Sequence, residues 1–224
     1  MGHPDEEEWR QEAAMSDWFE DQLQSQAHGQ VFAFLAKYGD AVQDRVDTCA
    51  AEAASLLAAG FPGASLVRSA AGIEVTVRFF LARPLVLGAF RSDEWANTLT
   101  KRLLNNRTVE DRELLPGILR NWSVDLTALR LSDGSQLWET ILRKVWVCRN
   151  NYVHAAATLT DDQASTALEC LDRLLSDVVE PVARQLGFTR AATGRWSLVL
   201  SMPEQHHTLP TEYESASPFA DHGA

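Results

Sequence analysis

The sequence predicts an all-α fold, and three observations support this prediction. Apolar residues recur at spacings of three and four over several long stretches, which is the pattern of amphipathic helices. Turn signals such as Gly60-Phe61-Pro62-Gly63 and Asp133-Gly134 separate these stretches. A strand pattern occurs only at residues 195–202, and it is weak. We therefore expect an up-and-down helical bundle with a helical or irregular insertion and disordered acidic tails.

The composition suits a globular domain whose acidity is concentrated at its ends. Hydrophobic residues make up 46% of the 224 residues, and the formal net charge is -11. Residues 1–25 hold eight acids and one base, and residues 203–224 hold four acids and no base, so the middle of the chain is electrically balanced. A balanced middle excludes a protein that binds duplexes by charge alone. The local excess of bases between Arg68 and Arg149 is compatible with a nucleic-acid partner.

The apolar runs, the N-terminal composition and the cysteines lead us to expect a cytoplasmic protein. No apolar run reaches the roughly 18 residues of a membrane helix, so we expect no membrane contact. The acidic start of the chain does not have the pattern of a secretory signal. Cys49, Cys148 and Cys170 are far apart, and each lies in an apolar helical pattern. They are predicted to be small buried side chains, and we expect no disulfide, no metal site and no cofactor.

The N-terminal half is predicted to contain four helices. The first covers about residues 8–27 of an acidic segment, 1–38, in which His28-Gly29 is an expected interruption. Gly39-Asp40 should end one helix and cap the next, whose apolar stripe begins at Val42. A third helix over about residues 64–82 is apolar on most sides and should be central. Arg83-Pro84 should end or kink it, and a fourth helix should follow over about residues 92–104.

The C-terminal half is predicted to contain an irregular insertion and two long helices. Leu114-Leu115-Pro116-Gly117 breaks the pattern within residues 105–133, where short helical pieces are expected around 118–131. A fifth helix covers about residues 135–152, and its apolar stripe is Leu137, Ile141, Val145, Cys148 and Tyr152. Thr160 and Gln163 form a capping box that begins the last long helix, which Pro181 kinks or ends. The bundle is thus assigned to residues 39–187, and residues 188–224 are a mostly disordered tail with a short strand.

One pair of residues at the end of the fifth helix could take part in catalysis. His154 is the only histidine between His28 and His206, and it follows Arg149 by five residues. In a continuous helix this spacing separates the two side chains by about 140°. Either the helix is distorted at Asn150-Asn151, which has weak helix propensity, or a dimer interface completes the site. The structural alternatives are a surface arginine near a helix end and a partly buried histidine bonded to a backbone carbonyl.

The surroundings of this pair resemble a known superfamily. An Arg-polar-x-x-x-His motif, here R-N-N-Y-V-H at residues 149–154, lies between two long helices. This arrangement resembles the HEPN superfamily of all-α proteins, many of which are endoribonucleases or toxins. Residues 66–74 are also similar to the glutamate-bearing central helix of HEPN-like domains. The resemblance covers about residues 42–182, but Ala156 stands where some HEPN toxins carry a tyrosine.

The resemblance implies a HEPN-like bundle and a metal-independent endoribonuclease of the toxin or defence type. Its substrate would be RNA, its product would carry a 2′,3′-cyclic phosphate, and it would act as a homodimer with the motifs at the interface. His154 would move protons, and Arg149 would stabilise charge on the phosphate. Asn150 would orient the histidine or bind a phosphate oxygen. Glu74 would hold Arg149 or His154 in place, or else it would simply pair with Arg78, four residues on.

Two cations and two tryptophans near the motif could also contact RNA, and two other functions are compatible with the sequence. Arg143 and Lys144 are candidates for contacts with the RNA backbone, or else they are ordinary solvated charges. Trp138 and Trp146 are predicted to serve core or dimer packing, with base stacking as the alternative. A first rival function is a non-catalytic HEPN-like module that binds a partner protein or a nucleotide. A second is a plain helical interaction protein, and an antitoxin or defence-system protein is a further partner that the resemblance implies.

Overall fold

The structure of the chain is a computed structural model that describes residues 4–82, 109–120, 122–191 and 194–198. Side chains are described at residue 29 and over residues 31–82, 112–120, 122–191 and 194–197. The described chain is mostly helical with a small two-stranded sheet, so the all-α prediction is confirmed. The predicted helix at 92–104, the predicted break at Arg83-Pro84 and the predicted disordered tail from Pro203 lie outside the described residues.

Five helices and one hairpin organise the described chain, and three of the helices contain a π-helical turn. Helix α1 is Pro4–Ala58, α2 is Pro62–Val75 and continues as the π-helical Thr76–Ala82, and α3 is Val109–Arg120. Helix α4 comprises Leu137–Thr140, the π-helical Ile141–Val145 and Trp146–Ala155. Helix α5 comprises Asp161–Leu174, the π-helical Leu175–Val179 and Glu180–Gln185. Strands β1, Phe188–Arg190, and β2, Trp196–Leu198, pair antiparallel with Arg190 opposite Trp196.

Helix α1 is continuous, so the helix breaks predicted at His28-Gly29 and at Gly39-Asp40 are wrong. Gly39 has a packing role instead. A Cβ at this position would lie 3.3 Å from Cδ1 of Trp196, so the missing side chain lets the indole lie against the helix. Asp40 accepts hydrogen bonds from the backbone N–H of Trp196, at 2.9 Å, and from Nη1 of Arg195, at 3.2 Å, and therefore does not cap a helix.

The hairpin extends the fold beyond the bundle predicted at residues 39–187. Nη2 of Arg190 donates to both carboxylate oxygens of Asp47, at 2.7 and 2.9 Å, and the Phe188 ring lies 5.0 Å from that of Phe32 in α1. Phe188 is buried. Strands β1 and β2 are thus packed onto α1, and within the strand predicted at residues 195–202 the segment Trp196–Leu198 is confirmed. The boundary predicted at residues 38/39 falls inside α1, whose Val31 is buried in the same core as the residues after it.

Helix α2 lies among α1, α4 and α5, as its apolar composition predicts. The three-residue connection at 59–61 brings α2 back along α1, and Oγ of Ser65 donates to the Ala53 carbonyl at 2.8 Å. A Cβ on Gly72 would lie 2.7 Å from Cδ2 of Leu171 and 3.1 Å from Cβ of Cys49. Gly72 therefore allows α1, α2 and α5 to approach closely at one point.

Helix α3 contains Pro116 in its interior, so the break predicted at residues 114–117 is wrong, and the helical segment lies earlier than expected. Proline has no N–H and leaves the carbonyl four residues earlier without its helical donor. Nε1 of Trp138 donates to that carbonyl, on Arg112, at 3.0 Å. A tryptophan from another helix thus satisfies the group that Pro116 releases. Trp138 is buried, which agrees with its predicted packing role.

Helices α4 and α5 begin close to the predicted positions. The Thr160 hydroxyl accepts from the Gln163 backbone N–H at 3.3 Å, and Oε1 of Gln163 accepts from the Thr160 N–H at 2.9 Å. The predicted capping box is therefore confirmed. Pro181 lies inside α5, two residues after the π-helical turn at Leu175–Val179, and the helix continues to Gln185, so the helix does not end at Pro181. No helix in the described part of the chain is long and apolar enough to cross a membrane.

Candidate functional site

The last segment of α4, Trp146–Ala155, carries the predicted motif and contains no buried residue. The helix ends directly after the motif, because Ala156 adopts a left-handed conformation with a φ of 50°. The N–H groups of Ala156 and Ala157 both bond to the Asn151 carbonyl, which closes the last turn. His154 therefore lies in the final exposed turn, not half-buried against a carbonyl as the structural alternative supposed. We call residues 146–155 the exposed end of α4.

Arg149 and Asn150 bind each other directly. Nη1 of Arg149 donates to Oδ1 of Asn150 at 3.0 Å, and the arginine side chain is half-buried while Asn150 is exposed. Asn150 was predicted to orient the histidine or to bind a phosphate oxygen. In this structure its carbonyl instead orients the guanidinium group. The amide is thus placed to fix the direction in which Arg149 presents its remaining N–H donors.

Arg149 and His154 stand on one undistorted α-helical segment. The helix distortion that was one of the two alternatives is absent between them, and the π-helical turn of α4 lies earlier, at Ile141–Val145. A regular helix separates the two Cα atoms by about 140° around the axis and about 7.5 Å along it. One chain therefore directs the two side chains away from each other. Of the two geometries that the sequence allowed for a shared site, completion by a second copy is the one compatible with this helix.

Glu74 lies away from the motif. Its Oε1 accepts from Nη2 of Arg78 at 3.2 Å, which is the pairing between residues four apart that the sequence also allowed. The motif end of α4 meets α2 at Gly63, and Glu74 is eleven residues further along α2, which is about 16 Å. Among the described residues Glu74 has Arg78 as its partner and contacts neither Arg149 nor His154. The supporting role predicted for Glu74 is not seen in this structure.

Arg143 and Lys144 are exposed on the π-helical turn of α4, before the motif. Arg143 forms an ion pair with Glu139 of the preceding turn. Lys144 is near Asp133; hydrogen bonds from Ser135 lower the pKa of the Asp133 carboxyl, and the charge of Lys144 lowers it further. Both cations lie about 15 Å along the helix from His154. They lie nearly three turns before His154 but only one to two turns before Arg149, and acids of this chain accompany both.

Two aromatic residues, Tyr152 within the motif and Phe61 in the turn before α2, were not predicted as site residues. Tyr152 was assigned to the buried stripe, but its side chain is 37% exposed, and its ring rests on Gly63, where an added Cβ would lie 2.1 Å from Cε2. Phe61 was interpreted only as part of a turn, and it is 60% exposed. The signal in the sequence that could have identified Phe61 is a large aromatic residue between two glycines of a turn. Its proximity to Tyr152 required the tertiary structure.

The thiols and acids of the described chain do not form a metal site. The structure places no group of three or more His, Cys, Asp or Glu side chains in a metal-binding arrangement within these residues. Cys49 and Cys170 are buried as predicted, whereas Cys148 is only half-buried. Its Sγ accepts a hydrogen bond from Nε2 of Gln163 at 3.5 Å, which links the exposed end of α4 to the first turn of α5.

No protein-family model, curated protein or solved structure matches this chain.

Proposed function

We propose that the chain is a metal-independent endoribonuclease with a HEPN-like helical bundle, acting in the cytoplasm as a toxin or defence effector. The observation that carries this proposal is the exposure of an R-N-N-Y-V-H motif at the free end of α4, in front of a second long helix. The motif contributes no buried residue to the core. Its side chains are accessible to a large substrate such as RNA.

The proposed reaction uses the RNA's own 2′-hydroxyl as the nucleophile. The 2′-oxygen forms a bond to the adjacent phosphorus, the bond from phosphorus to the 5′-oxygen breaks, and a 2′,3′-cyclic phosphate results. His154 takes the proton from the 2′-hydroxyl or returns one to the leaving oxygen, because imidazole exchanges protons near neutral pH. Arg149 binds the phosphate oxygens as negative charge builds up on them, and Asn150 keeps its guanidinium in position.

A homodimer would unite the two groups that one chain separates. A second copy related by a two-fold axis would place its own motif opposite the first, so that Arg149 of one copy faces His154 of the other. Val147 and Val153 support this arrangement, because they are 47% and 50% exposed on the same helix and a second copy would cover them. An antitoxin or defence-system protein is a further partner in this proposal.

The first test is RNA cleavage in EDTA by the wild type and by Arg149→Ala and His154→Ala. We expect each variant to lose about 100- to 10,000-fold in rate, because each removes a group that acts in the transition state. Arg184→Ala is the matched control, since Arg184 is an exposed arginine in the last turns of α5, far from the motif. Equal cleavage by the wild type and both motif variants would disprove the assignment.

A mixing experiment tests the shared site. Arg149→Ala and His154→Ala are each inactive alone, but a mixed dimer would contain one site with both residues intact. A 1:1 mixture should therefore recover about a quarter of the wild-type activity, if subunits exchange at random and the site combines two copies. A mixture as inactive as its components, in a sample shown by mass spectrometry to contain mixed dimers, would reject a site built from two chains.

A non-catalytic binding module is the second candidate. The exposed Val147 and Val153 favour it, because apolar side chains at the end of a helix suit a protein contact as well as a dimer. In that case neither the wild type nor His154→Ala would cleave RNA. The substitution would instead weaken a complex, which a pull-down with the purified partner would measure.

A further inference from the structure

The large exposed hydrophobic side chains of the described chain are all at one end of the molecule. These are Phe61, Val147, Tyr152 and Val153, and they belong either to the turn between α1 and α2 or to the exposed end of α4. Singly exposed apolar residues are normal on protein surfaces, but a cluster confined to one end points to a binding function. Two of the four, Phe61 and Tyr152, are aromatic.

Phe61 and Tyr152 border the same turn. The Tyr152 ring contacts Gly63, which is two residues from Phe61, so the two aromatic residues lie within a few ångströms of one segment of backbone. Phe61 occupies the N-cap position of α2, where its side chain is 60% exposed and makes no capping hydrogen bond. We call Phe61 and Tyr152 the aromatic pair.

The two chain segments that carry the aromatic pair contain few charges, and the ion pair that flanks the first of them, between Arg68 and Glu52, is neutral overall. Residues 53–67 contain no charged residue, and within residues 145–160 Arg149 is the only side chain with a permanent charge. The acids that follow, Asp161 and Asp162, belong to the first turn of α5 and interact favourably with its positive end. One cation in an apolar surface cannot hold a duplex by charge, because such binding needs several phosphate contacts. It suits a ligand that combines one phosphate with one flat apolar group.

Arg149 stands one helical turn from Tyr152. Residues three apart on a helix are surface neighbours, with Cβ atoms about 5–6 Å apart. The phosphate and the base of a single nucleotide are separated by a similar distance. Stacking on aromatic side chains is the usual way in which proteins hold the bases of single-stranded RNA.

We propose that the aromatic pair is a stacking site for one nucleobase of single-stranded RNA, whose phosphate binds Arg149. The inference rests on the proposed ribonuclease function, because it assigns the substrate's flanking base to a position beside the motif. It implies that RNA with unstacked, accessible bases is the substrate and that a paired stem is not. The aromatic pair lies on the side of Arg149 that is remote from His154, so it binds RNA without blocking the proton-transfer group.

The test measures binding of RNA that cannot be cleaved. A fluorescein-labelled 2′-O-methyl oligoadenylate of eight nucleotides lacks the attacking hydroxyl, so its affinity for the full chain is independent of catalysis. Fluorescence anisotropy compares the wild type with Phe61→Ala, Phe61→Leu and Phe61→Trp. Phe61→Leu keeps an apolar side chain but removes the aromatic face, and Phe61→Trp keeps a stacking surface. An abasic oligomer of the same length separates base binding from phosphate binding.

We expect Phe61→Ala and Phe61→Leu to weaken binding by about 5- to 150-fold and Phe61→Trp to bind at least as tightly as the wild type. The abasic oligomer should bind the wild type as weakly as the oligoadenylate binds Phe61→Ala. Arg149→Ala should reduce the salt dependence of binding by about one phosphate contact, whereas the Phe61 variants should leave it unchanged.

The proposal is overturned if Phe61→Leu binds like the wild type, if the abasic oligomer binds as well as the oligoadenylate, or if the wild type binds neither. It is also overturned if the Phe61 variants alter only the molar mass measured by light scattering, because the aromatic pair is then a protein contact. Base-dependent binding without any cleavage of ordinary RNA would refute the ribonuclease function alone. Normal cleavage by Phe61→Ala with unchanged binding would refute the stacking site alone.

Discussion

The two halves of α4 differ in burial although they form one continuous helix. Residues 137–145 contribute Leu137, Ile141 and Val145 to the core, whereas Trp146–Ala155 contributes no buried residue. Tertiary packing supplies most of the stability of a helix in a protein. The first half of α4 therefore contributes most of the helix's core packing, and the second half packs against the core only through partly buried side chains such as Trp146 and Cys148. The arginine and histidine of the motif lie in this less buried half.

The largest expected difference between the core and the exposed end of α4 is in the reaction rates of their thiols. Burial raises the pKa of the Cys170 thiol from 9.0 to about 12, and burial also raises that of Cys49. A rise of three pKa units lowers the reactive thiolate fraction about a thousandfold at neutral pH. We expect iodoacetamide at pH 8 to label the half-buried Cys148 at least about a thousandfold faster than Cys170. Peptide mass spectrometry measures the rates.

Unfolding in guanidinium is the control for this experiment, and it should bring all three thiols to similar rates. Labelling of Cys170 in the native protein as fast as that of Cys148 would contradict the burial of α5 against the core.

Truncation of one side chain in each half gives the next largest effect. Ile141→Ala should reduce the free energy of unfolding by about 2–5 kcal/mol, because Ile141 is fully buried and the change leaves a cavity. Val153→Ala should change it by less than about 0.5 kcal/mol, because half of that side chain is already exposed. Chemical denaturation monitored by circular dichroism measures both, at a protein concentration too low for self-association. Equal losses would mean that the two halves do not differ in burial.

Two glycines sharpen the comparison further, with smaller effects. A Cβ on Gly72 would meet Leu171 and Cys49 inside the core, so Gly72→Ala should cost about 1–3 kcal/mol. A Cβ on Gly63 would meet the Tyr152 ring, which is partly exposed and can turn toward solvent. Gly63→Ala should therefore cost less than about 1 kcal/mol. Thermal unfolding of both variants measures this difference.

Gly117→Ala is the matched control, because a Cβ there meets nothing within 4 Å in the interior of α3. Alanine is the better helix former, so this variant should be stabilised by about 0.5–1 kcal/mol. A loss for Gly63→Ala as large as that for Gly72→Ala would show that the Tyr152 ring is held as rigidly as the core.

Features that depend on neighbours along the chain were predictable. The capping box of Thr160 and Gln163 was predicted from four residues and is present, because both of its hydrogen bonds are local. The apolar spacing of α4 likewise predicted the burial of Leu137, Ile141 and Val145, but it wrongly placed Tyr152 in the same buried stripe. The exposed position of the motif was only half predictable. Its place at a helix end followed from the sequence, but the lack of any fully buried residue in that segment did not.

Features that depend on a distant partner were predicted wrongly. Gly39 and Pro116 were interpreted by their local preferences, as a helix stop and a helix break, and both lie inside helices. In each case a tryptophan from elsewhere in the chain decides the outcome. Trp196 packs where Gly39 has no side chain, and Trp138 donates to the carbonyl that Pro116 releases. A local preference of about 1–3 kcal/mol is within reach of such contacts.

The amino-acid pattern was enough to predict that this chain is helical, that its acidity lies at its ends, and that one arginine and one histidine stand five residues apart at the end of a helix. Three features became visible only in the folded chain: this helix is undistorted, Glu74 pairs with Arg78, and the Tyr152 ring rests on Gly63 near Phe61. Periodicity and capping act between residues a few positions apart, so the sequence reveals them. The contacts of the exposed end of α4 with Gly63 of α2 and Gln163 of α5 join residues that are distant in sequence and meet only after folding.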